Sequence, residues 1–105
     1  FDRQLYNAST NRAYYAAFQA AIAALAAQGL APERHGHANV QASFARELIQ
    51  RRKQYPRHFR TYLMNLQSVR DDADYKLKSV SHRIASNQLT KATEFVTTIT
   101  RKIEK

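Results

Sequence analysis

The chain of 105 residues contains no cysteine, which excludes a disulfide framework, a thiolate metal site and a cysteine nucleophile. Glycine and proline are scarce, with two of each, so the turn punctuation of a β-fold is missing and helices are favoured. No apolar run approaches the ~18 residues of a membrane span, and the opening residues do not read as a signal peptide. The chain opens on Phe1 rather than Met, as a trimmed chain does. These absences predict a single domain over residues 1–105, cytoplasmic and without a membrane partner.

Acidic residues are also few: eight against seventeen Lys and Arg, for a net charge of +9. The excess is uneven. Arg46, Arg51, Arg52, Lys53, Arg57 and Arg60 crowd into one segment with a single acid, Glu47, and with Tyr55, His58 and Tyr62 interleaved. Phosphates take charge and unstacked bases take ring faces, so this block is a candidate polyanion-binding face. Its other reading is a solvated helix junction.

Hydrophobic spacing predicts an all-α, antiparallel up-and-down bundle of four helices. The first runs from about Asp2 to Gln28 and stops at Gly29, with Tyr15, Phe18, Ile22 and Leu25 as the expected buried stripe. On this reading Ala17, Ala21 and Ala24 form a second, small-residue face, and Tyr14 sits at a helix seam. After a loop carrying Pro32, a second helix from His37 to Gln54 places Val40, Phe44 and Leu48 in register. Pro56 suits the first turn of a third helix through Asp74, with Phe59, Leu63, Leu66, Val69 and Ala73 inward. Ser81 is the expected N-cap of a last helix carrying Ile84, Ala92, Phe95, Val96, Ile99 and Ile103 on one side.

The blocks NRAYYAAF (11–18), Gly29, HANVQASF (37–44), RDDADY (70–75) and ATEFVTTI (92–99) occur in that order over nearly the whole chain. Together they resemble the HEPN superfamily, in its small stand-alone bacterial and archaeal branch. The resemblance implies an all-α bundle that commonly forms homodimers, and membership among toxins of toxin–antitoxin pairs and other RNA-directed defence proteins. It implies as partners an RNA or nucleotide and an antitoxin, which in some relatives is a nucleotidyltransferase that modifies a tyrosine.

Catalytic members cleave RNA without metal, using an Arg followed about four to six residues later by a His. Here that Arg is Arg70, and Tyr75, Lys76 and Leu77 stand where the His would be. The expected catalytic pair is therefore Arg70 with Tyr75, and endoribonuclease activity is left open. The alternative is a non-catalytic module that binds nucleic acid, nucleotide or antitoxin. A second match to the motif, Arg51 and Arg52 ahead of His58, falls outside the aligned block and reads as coincidence in an Arg-rich stretch. Gln19 follows Phe18 where relatives often carry His. Arg12 joins the cationic block as a candidate phosphate contact, while Asn11, Tyr14, His37 and Asp74 are candidate groove-lining residues. Packing could bring Asn11, Arg12, His37 and Arg70 around one groove. The plainer reading of Arg70 and Asp74 is an i,i+4 ion pair contributing roughly 0.2–0.5 kcal/mol. His35 and His37 flank Gly36 with only Glu33 nearby, too few donors for a metal, so no metal or cofactor is expected.

Overall fold

The computed structural model describes residues 2–30, 36–75 and 81–104. Four helices form an all-α bundle: α1 (Asp2–Ala27), α2 (His37–Ser43), α3 (His58–Tyr75) and α4 (His82–Glu104). α2 passes directly into a π-helical segment, Phe44–Arg51. No strand occurs among the described residues.

The ends of these elements follow from local chemistry. α1 closes in a Schellman motif: Gly29 at φ 71° donates to the Ala26 carbonyl, and the Leu30 N–H donates to that of Leu25. Leu30 then packs onto the core. Ser81 caps α4, its Oγ accepting from the Ile84 N–H at 3.2 Å. Two residues past the π-helical segment, Lys53 is a non-glycine residue at φ 51°, and the Gln54 N–H reaches back to the Leu48 carbonyl. α3 begins two residues after Pro56, whose carbonyl receives the Phe59 N–H.

The buried face of α1 corrects the expected register. Tyr15 is 59% exposed, whereas Tyr14 is fully buried with Ala13, Ala17, Phe18, Ala21, Ala24 and Leu25. Phe18 and Leu25 belong to both possible stripes, so the bulky residues leave the choice open. The alanines decide it, because their small side chains let α4 approach closely and turn their face inward. Ile22 is left partly buried at the edge. Similarly, α4 buries Ala85, Gln88, Ala92, Phe95 and Ile99, while Ile84 and Ile103 of the expected stripe are exposed. The expected positions Val40, Phe44, Leu48, Phe59, Leu63 and Leu66 are all buried.

Side-chain pairings fix the helix directions, which are more particular than simple alternation. His37 lies beside Tyr14 and Arg52 beside Gln28, so α2 and its π-helical extension run parallel to α1. Tyr6 meets His82 while Lys102 and Ile103 border the same depression as Ala27, so α4 also runs with α1. α3 opposes all three: Gln67 pairs with Gln41, and His58 with Glu94. The α3–α4 seam is polar. Asn65 Oδ1 accepts from Gln88 Nε2 at 2.9 Å and from Lys91 Nζ at 2.6 Å. Glu94 accepts from the Tyr62 hydroxyl at 2.9 Å and lies 3.1 Å from His58 Nε2.

The register assignment predicts that Ala17→Leu destabilises by about 1–3 kcal/mol through overpacking. Tyr15→Ala should stay within about 0.5 kcal/mol of wild type in chemical denaturation; the reverse order would contradict it. The hydrogen bonds from His58 and then Tyr62 hold the Glu94 carboxyl below its ordinary value of 4.5. Its contribution is thus full above that value and is lost as pH falls through the lower folded-state pKa. Glu94→Gln should lower the melting temperature near neutrality, and the difference should close in strong acid.

Candidate functional site

Helical spacing puts Asn11, Tyr14 and Phe18 on one face of α1, His37 and Gln41 on one face of α2, and Gln67 and Arg70 on one face of α3. Three helices therefore converge on Tyr14. Its hydroxyl is hydrogen-bonded to Nδ1 of His37. The His37 ring is 5.3 Å from the Tyr14 ring and 4.8 Å from that of Phe18. From α3, the Arg70 guanidinium lies over the Tyr14 ring at 5.6 Å, within cation–π range. Arg70 Nε donates to Asn11 Oδ1 at 2.9 Å, and its Nη1 is 3.5 Å from the Asp71 carboxylate. The Arg70 side chain keeps 23% of its surface exposed, enough for a ligand to reach it.

The electrostatics keep Tyr14 a neutral phenol. Burial raises its pKa most strongly; a hydrogen bond from Gln41 and the Arg70 charge oppose this, and Asp71 adds to the rise. A neutral hydroxyl can either donate to Nδ1 or accept from it. It therefore accommodates a proton on either ring nitrogen of His37, as an acid–base histidine requires. Gln41 also pairs with Gln67, joining α2 to α3 beside Tyr14. Neither glutamine stands out in the sequence; only their offsets from His37 and Arg70, four and three residues, mark them as neighbours.

The other expected residues are placed differently. Arg12, one position from Asn11, lies about 100° around the helix and is exposed. It borders the groove between α1 and α4 with Leu5 and His82, so the four-residue groove loses Arg12 and gains Tyr14. The side chains of Asp74 and Tyr75, and all of His35, lie outside the described residues. Among the described residues, no three His, Cys, Asp or Glu side chains cluster in a way that could hold a metal ion.

The cationic block divides. Arg46 and Arg51 each reach Glu47 at 3.2 Å, and these contacts, the one from Arg46 first, hold the Glu47 carboxyl below its ordinary range. Arg52 Nη1 donates to Gln28 Oε1 at 3.0 Å. Lys53, Arg57 and Arg60 instead line one depression between the π-helical segment and α3. His58 turns to α4 and Glu94, away from the partners of Arg51 and Arg52. The interleaved aromatics are not a stacking platform: Tyr55 is buried against Phe44 and Phe59, and Tyr62 is bound to Glu94.

Comparison with known families gives a match to the HEPN domain over residues 1–103. Comparison with the curated proteins and with the solved structures finds no match.

The Tyr14–His37 contact is expected to be energetically coupled. A double-mutant cycle with Tyr14→Phe and His37→Ala, read by urea denaturation, should give about 0.5–3 kcal/mol of interaction energy. Simple additivity would contradict it.

Proposed function

Because this chain belongs to the HEPN domain family, we propose that the Tyr14 cluster is a metal-independent site for an RNA phosphodiester, with Arg70 as the phosphate ligand and His37 as the acid–base group. The observation that carries this reading is that His37 and Arg70, distant in sequence, both pack on one buried tyrosine. The family's chemistry needs an Arg and a His together. α3 lacks the His after Arg70, and α2 supplies one that bonds the same tyrosine that Arg70 lies over.

In this scheme the guanidinium binds the non-bridging phosphate oxygens and stabilises the charge that grows on them. His37 takes the proton of the ribose 2′-hydroxyl through Nε2 while Tyr14 holds Nδ1. The 2′-oxygen attacks phosphorus, the bond from phosphorus to the 5′-oxygen breaks, and the 5′-oxygen receives the proton from the imidazolium. The products are a 2′,3′-cyclic phosphate and a 5′-hydroxyl. Asn11 positions Arg70 through its 2.9 Å hydrogen bond, and Phe18 holds the face of the His37 ring.

A function in an RNA-directed toxin or defence system, with an antitoxin as partner and a homodimer as the working form, is the setting we propose for this chemistry. The non-catalytic alternative uses the same contacts without proton transfer.

Incubation of the purified protein with RNA in the presence of EDTA should yield cyclic-phosphate ends. Arg70→Ala and His37→Gln should each lower the cleavage rate by about 10²–10⁴-fold. RNA binding that weakens steeply with salt but gives no product would instead favour the binding module.

A further inference from the structure

Outside the Tyr14 cluster, the seam between the π-helical segment and α3 carries chemistry that the proposed cleavage does not use. Lys53, Arg57 and Arg60 line a depression of about 630 Å³ floored by Ile49 and the buried Tyr55, with no carboxylate in its lining. Among the described residues, none of the three cations has an ion-pair partner, whereas Arg46 and Arg51 share Glu47. Two unusual backbone features shape the place. The π-helical turn sets Gln50 and Ala45 on its wall, and Lys53 holds a left-handed φ of 51°, a conformation unfavourable for a side-chain-bearing residue.

This depression does not stand alone. It shares Arg60, Gln50 and Ala45 with a second one of about 450 Å³, which runs on to Arg46, Met64 and Gln41. Gln41 is the residue that touches Tyr14 at the other site. Met64 is 54% exposed on α3, whose Phe59, Leu63 and Leu66 face the core, so a flexible apolar side chain lies in the middle of the path. A third depression shares both Gln41 and Met64 with the second and is also lined by Asp71 and Asp72, whose charge repels a polyanion on that side.

From these features we propose that the α2–π–α3 seam is a track for one single-stranded RNA segment. The segment's phosphates are seated by Lys53, Arg57 and Arg60, a base rests on Met64, and the strand enters the Tyr14 cluster past Gln41. The proposal rests on the reading of Arg70 and His37 as an RNA site. Arg60 and Arg70 are ten residues apart on α3, about 15 Å along its axis. That separation calls for a chain of nucleotides rather than a mononucleotide.

The test is binding of a fluorescent 12-nucleotide RNA carrying 2′-O-methyl groups throughout, which cannot be cleaved, across a salt series. The triple variant Lys53→Ser, Arg57→Ser, Arg60→Ser should bind at least about tenfold more weakly, with a log–log salt slope smaller by about 2. Arg60→Gln alone should lower the slope by about 0.7, and so should Arg70→Ala. A variant losing two cations elsewhere, Arg83→Ser with Arg101→Ser, should keep the wild-type slope, and far-ultraviolet circular dichroism checks that each variant folds. A triple variant that binds like wild type overturns the track even if Arg70 proves essential for cleavage. Loss in the triple variant without loss in Arg70→Ala overturns the connection to the Tyr14 cluster. A nucleoside monophosphate competing as strongly as the 12-mer overturns the strand. Failure to cleave natural RNA, with these slopes as expected, overturns only the chemistry assigned to His37.

Discussion

Burial of the Tyr14 ring between three helices is the constraint on which the rest of the structure depends. A phenol can fill core volume only if its hydroxyl finds a partner, because an unsatisfied buried hydroxyl costs about 1–3 kcal/mol. His37 supplies that partner, and in doing so fixes where α2 starts relative to α1. The ring face then offers Arg70 a place to lie, with Asn11 setting the guanidinium by a hydrogen bond. One packing decision thus assembles an imidazole, a guanidinium and a neutral phenol at the partly open junction of α1, α2 and α3.

The same decision rests on alanines. Ala17, Ala21 and Ala24 bring α4 close to α1 and rotate Tyr14 inward. Tyr15 is the cost of that rotation: it is left on the surface, as are Leu5, Leu89 and Ile103. α1 and α4 run parallel and pack most extensively, α3 opposes them, and α2 lies along α1 with its π-helical extension reaching the end of α1. The polar seam built on Asn65 and Glu94 sets the register between α3 and α4 without adding to the site.

Much of this was legible in the sequence. Gly29, Ser81 and the apolar series through α2 and α3 each mark a helix end or an inward face by a local rule, and the structure follows them. What periodicity could not resolve was the choice between two α1 registers that share Phe18 and Leu25, because a bulky aromatic outweighs alanine on any hydrophobicity count. Neither could it separate the cations. Charge clustering is visible in one dimension, but pairing with Glu47 or Gln28 depends on which way each turn faces, and the π-helical segment alters that spacing. The joining of His37 to Arg70 is a tertiary event between residues on different helices. Arg12 illustrates the converse, since one step along a helix moved it to another groove.

On the proposed reading, His37 and Arg70 serve one ligand site. That reading is tested most directly by following the His37 ring protons and the Arg70 Nε–H by NMR while titrating a dinucleotide whose 2′-oxygen is blocked. Both sets of signals should shift together and saturate with one dissociation constant. Saturable binding that moves one of them and leaves the other in place would contradict the reading.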